Sequence, residues 1–143
     1  MLRRFEDWPS RLSSYLETRR HAEFGYGTHD CCLFVGDAIL AMTGTDIAAY
    51  FRDSYHSSLE ALRRIRSYTE FATVEGVVEA VMRRYGIPEL SLPTHAARGD
   101  AVLLELACGE VLGLVSLSGS AIAAAECGWR SYSLEHARRA WRV

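Results

Sequence analysis

Apolar residues recur at helical spacing in the first half of the chain and in short continuous runs in the last third. Leu12, Tyr15 and Leu16 fall at i, i+3 and i+4 behind Pro9, which predicts a first helix from about Pro9 to Arg20 with Arg19 and Arg20 at its negative end. "FGYGTHD" reads as a loop whose glycines permit tight turns. From about Cys31 to Thr43 nearly every position is apolar: Cys32, Leu33, Phe34, Val35, Ala38, Ile39, Leu40 and Met42. A helix apolar on all sides belongs at the centre of a domain, and Gly44 is its natural C-cap. "SSLEALRRIRSY" opens on Ser57-x-x-Glu60, a capping box. "TVEGVVEAVMRRYG" predicts a helix from about Val74 to Tyr85, with Val77, Val78, Val81 and Met82 on its buried face and Gly86 and Pro88 as stops.

After "LPTHAARGD" the texture changes to apolar runs separated by glycine-containing turns, predicting strands near Ala101–Ala107, Val111–Leu117 and Ala121–Glu126. "WRSYSL" is expected to add a fourth, and the closing "AWRV" to pair with an earlier edge. Helices first and strands after, without alternation, predict an α+β fold. The 143 residues suit one domain, divided into an N-terminal helix (1–23), the Cys loop and central helix (24–44), a helical region (45–98) and antiparallel strands (99–143).

Composition narrows the partners. The 49% hydrophobic and 24% charged fractions are ordinary for a globular protein, and a formal net charge of -2 leaves no basic footprint for nucleic acid. No apolar run is long enough to span a bilayer, and "MLRRFEDWPS" lacks the apolar core of a signal peptide. A reducing compartment and neither membrane nor nucleic-acid partners are therefore expected. The four cysteines contain no C-x-x-C pair, and a disulfide between neighbours Cys31 and Cys32 would be strained. Histidines 21, 29, 56, 95 and 136 are scattered, so neither a structural zinc site nor a cofactor is expected.

The candidate chemistry centres on Cys31. A thiol at a helix N-terminus meets the positive end of the dipole and unpaired backbone N–H groups, both of which favour the thiolate. Asp30 is placed to cap that helix, and Gly25 and Gly27 would admit a substrate backbone. Cysteine is also among the most buried residue types and usually behaves as a small hydrophobe. Local physics alone gives that inert reading more weight for either cysteine, and Cys32, one residue further round, keeps it. A thiolate nucleophile needs a base and an orienting group, for which His29, in the loop, and His95, in "PTHAARGD", are the candidates. Asp37, a charge inside an apolar helix, is expected to be a buried, paired anchor. Cys108 and Cys127 are expected to be partly buried in turns, Trp8, Trp129 and Trp141 to be packing aromatics, and the Arg63–Arg66 and Arg138–Arg139 clusters to be solvated helix faces.

Two short motifs, "YGTHDCCLF" and "ARGDAVLLE", occur in that order. Together they resemble the NlpC-type branch of the papain-like cysteine peptidases. In that family "W/Y-G-x-x-D-C" leads into a central helix whose first residue is the nucleophile, and "R/K-G-D" opens a strand. Tyr26, Gly27, Asp30 and Cys31 match the first motif, and Arg98, Gly99 and Asp100 the second. The chain is more similar still to a phage and prophage subfamily of tail-region proteins. Their pattern "F-x-W-G-x-x-D-C-x-L-F", "G-x-D", "F-R-x-x-Y" is matched here by "FGYGTHDCCLF", "TGTD" and "FRDSY", with a terminal "AWRV". The resemblance covers about Phe24 to Val143 and implies a papain-like, NlpC-type fold with Cys31 as nucleophile and Tyr26, Gly27 and Asp30 as substrate-binding residues.

The next family motif, "H-V-G-I", aligns on "EVLGLVSL" with Gly113 on its glycine and Val111 on its histidine. The family's base is thus replaced, and the third polar residue falls where only Ser120 and Glu126 could serve. One function the resemblance implies is a thiol hydrolase acting on peptidoglycan peptides or in tail maturation, with His29 or His95 as base. Another is an inactive assembly module that binds phage tail proteins, and an acyltransferase on the same thiol is a third. The expected location is the bacterial cytoplasm or the phage particle.

Overall fold

Three of the four α-helices among the described residues begin where a side chain accepts from a free N–H group, and the first begins without one. In a computed structural model, which describes residues 2–70 and 72–143, Asp30, Ser57 and Thr73 accept from the backbone of Leu33, Glu60 and Gly76. Among these residues the chain forms α1 (Trp8–Thr18), α2 (Cys31–Thr43), α3 (Ser58–Tyr68) and α4 (Val74–Arg84). Five strands follow: β1 (Ala101–Leu106), β2 (Gly109–Val115), β3 (Ala121–Ala124), β4 (Trp129–Tyr132) and β5 (Ala137–Trp141). The strands form one antiparallel sheet in the order β4-β3-β2-β1-β5, so the chain is α+β. No helix among the described residues is long and apolar enough to cross a membrane.

The apolarity of α2 has the expected outcome over most of its surface, with Leu40 the exposed exception. Leu33, Phe34, Val35, Ala38, Ile39 and Met42 are fully buried, and the helix packs on α1, β2 and β3. Gly44 ends it in the left-handed conformation, φ 78°, donating to the Leu40 carbonyl. Asp37 is the anchor expected of it: Arg19 reaches one carboxylate oxygen at 2.8 Å and Arg52 the other at 2.6 Å.

The sheet is covered on both faces, which is why β1 and β3 read as continuous apolar runs rather than alternating ones. Leu103, Leu114, Ile122 and Trp141 face the helices. Val102, Leu104, Ala121, Ala123 and Ala140 face the opposite side, under Leu90, Ala96 and Leu134.

Several boundaries differ from expectation for local reasons. The turn between β1 and β2 is only Ala107–Cys108, with Leu106 paired to Gly109, so β2 starts two residues earlier. β3 stops at Ala124 because Ala125 N–H turns to the Gly128 carbonyl. Arg138 and Arg139 lie on strand β5, not on a solvated helix, and pair with Glu75 of α4; Arg139 also holds Glu79 and Glu89. Cys108 and Cys127 are exposed rather than partly buried, because both occupy turn tips.

Candidate active site around Cys31

The loop before α2 is folded by its own backbone. Gly25 and His29 exchange hydrogen bonds, N–H to carbonyl in both directions, and between them Gly27 takes φ 85°. A Cβ at Gly27 would be strained by that angle and would strike the Tyr55 carbonyl oxygen. Asp30 closes the loop. Its carboxylate accepts from Leu33 N–H at 2.9 Å, from Gly27 N–H at 3.0 Å and from the Tyr55 hydroxyl at 2.5 Å. Burial, and next the Asp30 charge, push the Tyr55 hydroxyl well above its ordinary pKa, so it remains a donor.

This scaffold puts Cys31 at the first position of α2, half-buried, with its sulfur 3.9 Å from that of Cys32. The Cys31 thiol is held below its ordinary pKa, first by the hydrogen bond from Cys32 and then by the Leu112 backbone N–H of β2; burial and the Asp30 charge oppose them. Cys32 is pushed well above its ordinary value, chiefly because it is the donor of that bond. The pair therefore shares its protons unequally: Cys32 keeps one while Cys31 is the thiolate-forming member. Cys31 lines a cleft of about 770 Å³ whose walls also include Phe24, Tyr26, Tyr55, Val111 and Tyr132.

Residues 3–143, almost the whole chain, match the family model described as a domain of unknown function, DUF6950. The chain belongs to the DUF6950 family. A search among curated proteins gives no match.

Within this DUF6950 domain the candidate site residues separate. Tyr26, Asp30 and Cys31 line one cleft, and Gly27 supports it from behind, its carbonyl accepting from Asp53 N–H. His29 is buried and turned the other way. Its Nε2–H donates to the Gly128 carbonyl at 2.8 Å, its ring packs edge-on against Phe34, and its Nδ1 has no partner. His95 is exposed in the short 3₁₀ turn Pro93–His95, which packs against β5, and its carbonyl accepts from Arg142. Among the described residues no histidine lines the Cys31 cleft.

Val111 lines the cleft, as do Glu126 and Arg130, whereas Ser120 bonds to Ser116 in the β2–β3 turn. Asp100 of the "RGD" segment is a structural anchor, fully buried and bonded to Arg4, Arg142 and the backbone of Ala97 and Val143. No three His, Cys, Asp or Glu side chains among the described residues converge to hold a metal ion.

Sequence reasoning missed two contributors. Cys32 does more than pack, and Leu112 supplies an N–H that no spacing in the chain connects to Cys31.

Proposed function

We propose that this domain is a thiol hydrolase of NlpC-like, papain-type architecture in which the Cys31 thiolate is the nucleophile. The observation that carries the reading is the position of Cys31. It begins the central helix, open to a cleft, with the Cys32 S–H and the Leu112 N–H both stabilising its thiolate. The thiolate would attack a substrate carbonyl, and free N–H groups at the start of α2 would accept the developing oxyanion charge. Peptides of peptidoglycan or of tail-protein precursors are the substrates that the NlpC-type resemblance points to, in a bacterial cytoplasm or a phage particle.

A second reading, an inactive assembly module of a phage tail, draws on two observations. Val111 occupies the cleft where the resemblance places a base, and His29 gives its Nε2–H to Gly128 instead.

Alkylation by iodoacetamide as a function of pH, read separately for Cys31 and Cys32 by peptide mass spectrometry, tests the nucleophile. Fast labelling of Cys31 well below the ordinary thiol value of about 8.5, with Cys32 inert, supports it. If neither residue reacts until alkaline pH or denaturation, the assembly module is the better account. Stem-peptide digestion by wild type and Cys31→Ala tests the hydrolase; equal turnover by both would exclude Cys31.

A further inference from the structure

Cys32, Tyr55, Ala61 and Ile65 each line two spaces at once. One is the cleft over Cys31, and the other is an apolar cavity of about 70 Å³ behind it, between α2, α3 and α4. The cavity's remaining walls are aliphatic or aromatic, among them Val35, Val78 and Met82. Its polar side chains are already engaged: the Tyr55 hydroxyl with Asp30 and the Cys32 thiol with Cys31. The volume is about half that of a ~150 Å³ dry cavity that admits benzene, which suits a small branched aliphatic group and not a long chain. Two of the four shared residues, Ala61 and Ile65, lie on α3, the one α-helix among the described residues with no buried residue of its own, so that side of the wall can give way to an entering group.

The chemistry of the cleft selects the leaving group. Cleaving an amide requires a proton donor for the departing amine. The cleft holds no histidine among the described residues, and of its other proton-bearing groups (Glu126, Cys108 and the tyrosines) none is hydrogen-bonded to the Cys31 sulfur, whose one side-chain partner among those residues is Cys32. A thioester makes no such demand, because a thiolate of ordinary pKa, about 8.5, leaves without being protonated first.

We propose that Cys31 accepts a short branched acyl group from a thioester and that the aliphatic tail of that group occupies the cavity behind Cys32. The proposal rests on Cys31 being the nucleophile and changes the substrate class. The Cys31 thiolate attacks the thioester carbonyl carbon, a new carbon–sulfur bond forms, and the donor's carbon–sulfur bond breaks. The donor leaves as a thiolate with the electron pair and takes its proton from solvent. The reverse step onto a second thiol completes a transfer with no oxidant or general acid.

Three synthetic thioesters of N-acetylcysteamine, carrying acetyl, isovaleryl and octanoyl groups, provide the test, with acylation of Cys31 followed by intact-mass spectrometry. Isovaleryl should label Cys31 faster than either of the others by roughly tenfold or more, the scale on which apolar pockets discriminate methylenes. Ala61→Leu, which narrows the shared wall, should reduce the isovaleryl rate to that of acetyl, and Ile65→Ala should raise the octanoyl rate. Equal rates for the three thioesters, or an isovaleryl preference that neither variant alters, would overturn the proposal. If that happens while iodoacetamide still labels Cys31 below the ordinary thiol pKa, the nucleophile reading stands alone; if iodoacetamide fails as well, both fall.

Discussion

Asp30 and Cys32 show how much of the candidate site depends on single atoms. Three donors end on the Asp30 carboxylate: a helix N–H, a loop N–H and a buried hydroxyl. Asp30→Ala removes an N-cap worth about 1 kcal/mol and leaves the Tyr55 hydroxyl without its acceptor, a further ~1–3 kcal/mol. Urea denaturation should show a total loss of about 2–4 kcal/mol, while Asp30→Asn, which keeps an acceptor at the cap, should lose clearly less. Cys32→Ala removes the S–H that lowers the Cys31 pKa. The midpoint of Cys31 alkylation should therefore move up, towards about 8.5, and a midpoint unchanged by the substitution would mean that the helix start and Leu112 suffice. Asp30 as cap and Cys31 as first helical residue were legible because both depend on neighbours in the chain. The orientation of His29 was not, since its partner Gly128 lies 99 residues away. Cys32 was hidden differently: helix geometry separates successive side chains, yet two short thiols at the first turn still come within 3.9 Å.

Among the elements, α4 and β5 are tied together by charge as well as by the shared core. Arg139 on β5 reaches Glu75, Glu79 and Glu89, and Arg138 reaches Glu75 and Glu110. The hydrogen bond from Arg139 holds the Glu89 carboxyl below its ordinary pKa. A carboxyl depressed in the folded state stabilises the fold above its unfolded pKa of about 4.3, and that contribution is lost as pH falls through the lower folded value. Thermal melts should accordingly show a midpoint that falls below about pH 4 and with added salt, and Arg139→Gln should flatten both dependences. The arginine pair read as a solvated helix face because periodicity describes one element at a time, and the glutamates that answer it come from a helix some sixty residues earlier. The central helix and the inner strands were legible for the complementary reason. Burial of most of α2 and of both faces of β1 and β3 leaves an unbroken apolar run in the chain itself.

At the scale of the whole molecule, the buried Asp100 carboxylate is a meeting point. Arg4, close to the first residue, and the N–H of Val143, the last, both bond to it, and the Arg4 guanidinium also donates to the Val143 carbonyl. Arg4 and Val143 are thus held at the same spot, at the start of β1, and the fold between them runs as a nearly closed ring. Its linear order is then one choice among several. A version with Val143 joined to Leu2 through a short Gly-Ser linker, and opened at the exposed Ser118–Gly119 turn, keeps every element and every strand pairing. Such a circular permutant should fold with a far-ultraviolet circular dichroism spectrum matching the parent's. The architecture would then be shown to reside in the ring of contacts and not in the order in which its elements are strung along the chain.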